Sequence, residues 1–340
     1  MSLPAVSVLM PCRDAIDTLD AALASIFGQS LNDFELIAVD DGSTDGSSER
    51  LALWASREPR LRLVRIEPRG IIPALNAGLA ACRAPVIARM DSDDLAEPAR
   101  LERQLEMLEA RPDLAAVGTL VAGYPPERLA EGFRLYIDWQ NRLVEPEAIA
   151  REIYIESPLV HSSVAIRREW LERVGGYEEH GWAEDYDLWL RMHLAGARFA
   201  KVPEVQLHWR DHPRRLTRTD SRYAVENFLR AKSHYLLRGP LSTRDAVILW
   251  GAGQMGRRLA KHLERGGAPL VAFLDIDPRK VGRERRGCPV LPPDLLPDLW
   301  RRHNRPVLLA CVGSRGARQL IRDQLQAIGL QEGRDWWAAA

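Results

Sequence analysis

The chain has 340 residues, with 47 Lys and Arg against 47 Asp and Glu, 46% apolar and 28% charged residues, and 4 Cys. That length allows one large domain or two ordinary ones, and the composition is that of a soluble globular protein rather than a disordered one. Zero net charge argues against a general nucleic-acid binder, which needs a basic excess to neutralise phosphates. Cys12, Cys82, Cys288 and Cys311 are far apart and lack both metal-ligand spacing and a dense disulfide pattern, so a reducing, cytoplasmic compartment is expected. No apolar run reaches the length of a membrane span, and the start of the chain lacks the basic n-region of a signal peptide.

The first 120 residues alternate strand and helix patterns. Val6–Met10 is a short apolar run, and Leu19, Leu23, Ile26 and Phe27 follow at helical spacing up to Gly28. Phe34–Val39 is a second strand, followed by a short helix near Ser48–Ala55, a strand at Leu61–Ile66 and an Ala-rich helix across Pro73–Ala81. Pro85–Met90 is a fourth strand. Such alternation predicts a parallel sheet covered by helices, with ligands bound beyond the carboxyl ends of the strands. Those ends carry Pro11-Cys12-Arg13-Asp14, Asp40-Asp41-Gly42-Ser43 and Asp91-Ser92-Asp93-Asp94, an acidic rim.

The middle of the chain is less regular. Gly123–Ile149 shows no clean period and reads as a loop-rich insertion. Val160–Ile166 reads as a strand, Trp182–Ala195 as a helix, and a helix across Tyr223–Leu237 closes the first domain. Arg238-Gly239-Pro240 looks like a linker, which sets domains at 1–238 and 239–340. Beyond it the pattern restarts with strand Ala246–Trp250, a Gly-rich turn, helix Met255–Glu264 and strand Leu270–Leu274. The Asp335-Trp336-Trp337 end fits either a helix or a final short strand.

Two carboxylates one residue apart at a strand end, as in Asp91-Ser92-Asp93, suit a hard divalent cation such as Mg²⁺ or Mn²⁺ shared with a diphosphate. Taken alone they are read first as the N-terminal cap and first-turn acids of the following helix, and only second as a metal site. The pair has company, however. Val6–Pro11, Val39–Ser47, Ala74–Leu79, Arg89–Asp94, Pro98–Gln104, Val117-Gly118-Thr119, His161–Arg167, Gly175-Gly176-Tyr177, Ala183–Arg191 and Trp209–His212 occur in this order. Together, across about residues 4–225, they resemble family 2 glycosyltransferases, whose fold is GT-A.

The resemblance implies an α/β GT-A-like transferase domain with a mostly parallel central sheet, and an inverting, metal-dependent enzyme. It would move a sugar from a nucleotide-diphosphate donor, usually a UDP-sugar, to a hydroxyl of a saccharide or lipid-linked acceptor, in surface polysaccharide or glycan assembly. Asp41 would contact the nucleotide base, flanked by Pro11 and Arg13, although Asp-Gly-Ser is also ordinary turn chemistry. Asp91 would lie near the ribose, Asp93 would be the principal ligand of a Mg²⁺ or Mn²⁺ ion, and Asp94 a cap or supporting acid. Asp185 would be the base that takes the acceptor proton, with Glu184 orienting the acceptor or the helix start. The alternative for this pair is plain first-turn acid in the run Glu178, Glu179, Glu184, Asp185, Asp187.

Arg210, Arg214, Arg215, Arg218 and Arg222 follow in a short stretch. This segment reads first as a lid over the donor diphosphate, with Arg210 on the donor and His212 near the metal. It reads second as a solvated basic loop, and third as a patch drawn to an anionic membrane. His161 and His208 read as structural. Peripheral contact at the inner membrane face and homo-oligomerisation stay open, and no nucleic-acid partner is expected.

Gly251, Gly253 and Gly256 form G-x-G-x-x-G between a strand and a helix, and Asp275 ends the next strand. This is the context of a dinucleotide fingerprint, but the domain has room for only one mononucleotide-binding half. The segment resembles small Rossmann-like domains found beside sugar-modifying enzymes, with nucleotide binding and structural docking as its two readings. Two rivals to a transferase remain. One is an NAD-dependent oxidoreductase built on that fingerprint, although no hydride-transfer acid–base pair accompanies it. The other is a catalytically silent sugar-nucleotide-binding scaffold, against which intact Asp41, Asp91, Asp93 and Asp185 argue.

Overall fold

A computed structural model describes residues 3–314 and 316–340. It has two compact units. The first comprises Met1–Ile149, Pro158–His180 and Arg191–Arg215, and the second Ala150–Ser157, Gly181–Leu190 and Leu216–Ala340. The expected linker at 238–240 therefore falls inside the second unit, and helix Val225–Arg238 belongs to the same unit as the C-terminal fold.

The first unit is built on strands β1 (Val6–Cys12), β2 (Phe34–Asp41), β3 (Leu61–Ile66), β4 (Val86–Arg89), β5 (Leu95–Ala96), β6 (Leu114–Tyr124), β7 (Ala165–Arg167) and β8 (Arg198–Arg210). They form one sheet in the order β3-β2-β1-β4-β7-β6-β8-β5. β1 pairs parallel to β2 and β4, aligning Val6 with both Phe34 and Val86, and β2 pairs parallel to β3. β7 runs antiparallel to β4 and β6, while β6 and β8 are parallel. Every residue of β1, β2 and β4 is buried, the continuous burial expected of a parallel sheet covered on both faces.

Two stretches depart from the sequence reading. Gly123–Ile149 holds helices Glu131–Asn141 and Pro146–Glu152 rather than loop. The first buries only Ile137 and Gln140, so its apolar stripe is too thin to stand out as a period. Within Val160–Ile166, His161–Ser163 is a 3₁₀ turn and only Ala165–Arg167 is strand.

The second unit holds β9 (Ala246–Trp250), β10 (Leu270–Leu274), β11 (Glu284–Arg285), β12 (Cys288–Leu291), β13 (Pro306–Ala310) and β14 (Trp336–Ala338). Its sheet order is β11-β12-β10-β9-β13-β14. The Trp336-Trp337 end is thus a strand, pairing parallel to β13 with Leu308 beside Trp336. All four cysteines are buried and free.

In the first unit, one glycine measures how tightly helix and sheet approach. Gly78 lies in helix Ile71–Ala81, and a Cβ there would meet Leu9 Cδ1 at 2.2 Å and Val39 Cγ2 at 2.7 Å. Helix propensity favours Ala over Gly by about 1 kcal/mol, but overpacking a core costs about 1–3 kcal/mol. Gly78→Ala is therefore expected to lower stability, read as a fall in the denaturant midpoint at unchanged slope.

Candidate active site

The acidic loop begins where β4 ends. Its first member, Asp91, is held by Arg89, whose Nη2 donates to Oδ1 at 2.6 Å. Asp93 Oδ2 lies 2.8 Å from His212 Nε2, just beyond β8. Asp94 is 1% exposed and accepts from both Ser162 Oγ and the Arg210 backbone N–H. Burial, with Asp93 and Asp91 alongside, holds the Asp94 carboxyl well above the usual carboxylate range. Carboxylate oxygens from Asp91, Asp93 and Asp94 lie within 4.8 Å of one another. A hard divalent cation fits this donor chemistry, and binding it relieves the like-charge crowding. Asp91 and Asp93 are the members exposed enough to offer such an ion an open oxygen, since Asp94 is engaged inward.

Beneath the loop lies a buried polar framework. Arg100 is fully buried, and its Nη2 donates to the Arg89 carbonyl at 2.6 Å. Its Nε donates to Gln104 Oε1 at 3.2 Å. Gln104 in turn donates to the carbonyls of Val117 and Ser163. An i, i+4 pair on one helix thereby joins the end of β4, strand β6 and the 161–163 turn. Burial pulls the Arg100 guanidinium down to about 10.

At the end of β2, Asp41 accepts from the backbone N–H groups of Arg69 at 2.7 Å and Gly70 at 2.9 Å. Arg13 Nη1 approaches its Oδ2 at 3.4 Å. Pro11 aligns with Val39 and Cys12 with Asp40, which brings the Pro11–Arg13 segment beside the Asp40–Asp41 turn. Arg210 does not project as a free cation. Its Nε donates to the Asp93 carbonyl at 2.6 Å, and its guanidinium lies 4.9 Å from the Tyr124 ring centroid.

Asp185 belongs to the second unit, at the start of helix Glu184–Leu194. It is half-buried, and its Oδ1 accepts the N–H of Tyr186 at 2.7 Å. Burial, then Glu184, then Glu156 push its carboxyl up to about 8. Glu184 is buried and accepts from Tyr223 Oη at 2.6 Å. A carboxyl raised in this way, in a polar setting, suits proton transfer near neutral pH.

A model of glycosyl transferase family 2 matches residues 7–175. The amylovoran biosynthesis glycosyltransferase AmsE of Erwinia amylovora is 32% identical over 195 residues, spanning 57% of this chain and 70% of that protein. The chain belongs to glycosyltransferase family 2. The O-antigen biosynthesis glycosyltransferase WbnJ of Escherichia coli is also similar, 28% identical over 210 residues that span 61% of this chain and 80% of WbnJ. Among solved structures, residues 1–349 of S. aureus TarS in complex with UDP share the fold, with a TM-score of 0.55 and 17% identity over 76% of this chain and 71% of that one. Among the described residues of this glycosyltransferase, no helix is long and apolar enough to cross a membrane.

The glycosyltransferase distributes its downstream arginines among several local partners. Arg214 reaches Asp17 at 3.3 Å. Arg215 lies 3.8 Å from Asp211 and stacks 4.3 Å from the Trp209 ring centroid. Arg222 closes onto Asp220 with two side-chain contacts, at 3.1 and 2.6 Å. Both histidines read as structural have protein partners: His161 Nε2 meets Tyr177 Oη at 2.9 Å, and His208 Nε2 meets Glu97 at 2.6 Å.

In the C-terminal fingerprint, two glycines answer to packing. A Cβ on Gly251 would meet the Cys311 carbonyl at 2.8 Å, and one on Gly256 would meet the Gly251 carbonyl at 1.9 Å, while Gly253 faces open space. Asp275 turns both oxygens inward. Oδ2 accepts from the Ala252 N–H and from Lys280 Nζ, and Oδ1 from the Asp277 N–H.

The sequence reading assigned no role to Ser162, Arg100, Gln104, Glu156 or Tyr223. For Arg100 and Gln104 a signal existed, because two polar residues share the face that Leu101 and Leu108 carry into the core. For Glu156 none did, since its segment has neither period nor motif. Asp94→Ala removes the acceptor of two groups, one of them the fully buried Ser162. Leaving a buried donor unpaired costs about 1–3 kcal/mol, so chemical denaturation of this variant is expected to show a loss of at least that order.

Proposed function

We propose that the protein is an inverting, divalent-cation-dependent transferase that moves a sugar from a nucleotide diphosphate, with UDP the leading candidate, to a hydroxyl of a saccharide or lipid-linked acceptor in surface polysaccharide assembly. The observation that carries this reading is the gathering of Asp91, Asp93 and Asp94 oxygens within 4.8 Å at the end of β4, with His212 on Asp93. The names of the amylovoran and O-antigen relatives support the pathway class.

In this reading Asp93 and His212 would hold the cation, and Asp91, whose carboxylate lies within 4.8 Å of that of Asp93, would face the donor ribose beside it. When bound, it neutralises the charge that develops on the departing diphosphate. Asp41, Arg13 and the backbone at Pro11 form the end that receives the nucleoside. Asp185 accepts the hydroxyl proton as the acceptor oxygen bonds to the anomeric carbon. The bond from that carbon to the diphosphate oxygen breaks on the opposite face, and the nucleoside diphosphate leaves with the electron pair. One displacement of this kind inverts the anomeric centre.

A thermal-shift screen of UDP-, GDP- and dTDP-sugars with and without Mn²⁺ tests the donor class, since a ligand of the folded state alone raises the midpoint. Asp93→Ala is expected to abolish the Mn²⁺-dependent part of any shift and to lower turnover by roughly 10²-fold or more. Full activity and metal response in that variant contradict the metal assignment. For Asp185 the sign of the pH dependence follows from its raised carboxyl. The base acts only when ionised, so turnover is expected to fall as pH drops below about 8. Glu156 contributes to raising it. Glu156→Gln is therefore expected to move this acid limb to lower pH, read from the pH profile of kcat/KM.

A further inference from the structure

The second unit raises a question that its fingerprint does not answer, namely why residues 150–157 and 181–190 share a compact body with the C-terminal α/β fold. The side chains supply an answer. Glu152, 8% exposed, is gripped from helix Ala317–Ala327 by two arginines. Arg318 Nη1 donates to Oε2 at 3.1 Å and Arg322 Nη2 to Oε1 at 2.9 Å. Arg322 is itself fixed by Glu332, with contacts at 2.7 and 2.8 Å.

Three residues on, the backbone is held again. Lys232, 3% exposed in helix Val225–Arg238, donates to the Ile155 carbonyl and, at 3.3 Å, to the Ala339 carbonyl just after β14. One buried ammonium thus joins residue 155 to the edge of the C-terminal sheet. The helix that begins at Glu184 is attached to the same frame. Tyr186 Oη donates to the Ile153 carbonyl at 2.8 Å, and Asp187 accepts from Tyr235, one turn along from Lys232. Asp185 sits between these neighbours in sequence, with Glu156 contributing to its electrostatic setting.

We propose that the C-terminal α/β fold serves the transfer reaction as a scaffold, in which the Arg318–Glu152–Arg322 clamp and Lys232 hold segment 150–157 and thereby position Asp185. This rests on the reading of Asp185 as the base. The four residues are positioning residues, acting through the backbone at 153–155 and through Tyr186. The contacts lie outside the glycine fingerprint, so the role does not depend on any nucleotide at Gly251–Gly256. Fixing a base within a fraction of an ångström is worth a large factor in rate, so removal of a remote clamp is felt in kcat.

The test uses the full chain with Arg318→Gln/Arg322→Gln, and with Glu152→Gln as a milder variant in case the first folds poorly. Hydrogen exchange is the deciding readout. The expected result is exchange faster by roughly tenfold at amides of 150–157 and 183–187, with β9, β10 and β13 still protected. UDP release from UDP-glucose, UDP-galactose or UDP-N-acetylglucosamine is then expected to show kcat reduced by about tenfold with donor KM within about twofold. Arg318→Lys/Arg322→Lys, which keeps the charges, is expected to restore part of both. Unchanged exchange overturns the proposal, and so does faster exchange with an unchanged kcat. Asp185→Asn separates this from the base assignment: normal turnover in that variant refutes Asp185 as base, whatever the exchange data show for the clamp.

Discussion

A buried carboxylate governs the geometry of the first unit. Asp94 leaves water almost completely, and its two oxygens are taken by the Ser162 hydroxyl and the Arg210 amide. Asp94 and its two partners belong to three chain segments far apart in sequence: the loop after β4, the 161–163 turn and the end of β8. A burial this costly is tolerable only when both oxygens are satisfied, and satisfying them fixes where the three segments meet. Asp91 and Asp93 stay partly exposed beside Asp94, Asp91 on Arg89 and Asp93 on His212. The fold thereby keeps carboxylate oxygens of all three acids within 4.8 Å of one another, a like-charge crowding that a hard cation would relieve.

The supporting layer follows the same logic. Arg100 places a guanidinium under the loop and binds the Arg89 carbonyl, while Gln104 carries the connection to β6 and the 161–163 turn. Asp41 repeats the device at the next strand end, where its carboxylate accepts two successive amides and so shapes the 69–70 turn. In each case a buried acid next to the proposed site organises the backbone around it. Replacing such a residue disturbs two properties at once, and stability has to be measured beside activity before a role is assigned.

Much of this was legible in the chain because a parallel sheet writes a simple code. Buried runs such as Val6–Met10 and Phe34–Val39 are strands whichever helix covers them, and acids at their carboxyl ends stand out against apolar neighbours. The proximity of Asp93 and His212 was anticipated only through an ordered set of motifs, since 119 residues separate them. What stayed hidden shares one physical character: the decisive partners were polar groups in the interior or on irregular backbone. Helix Glu131–Asn141 buries too few apolar residues to show a period. Glu156 lies in a segment whose contacts run to Tyr186, Lys232 and the two arginines on Glu152, and none of these is near it in sequence.

The same contrast bears on the glycine fingerprint. Gly251 and Gly256 are demanded by close backbone approach, and Asp275 closes onto the loop amide and Lys280, so most of the motif is accounted for by strand–helix packing. A motif of this kind therefore reports a fold before it reports a ligand. The contacts that tie the C-terminal sheet to segment 150–157 are made by Lys232, Arg318 and Arg322, residues with no motif at all. Chain connectivity places a boundary near residue 238, where a helix ends at Gly239. The contacts group the segment that carries Asp185 with the residues beyond that boundary. Where the two disagree, buried Glu152 and Lys232 decide, because neither can be pulled from its partners without leaving a buried charge uncompensated.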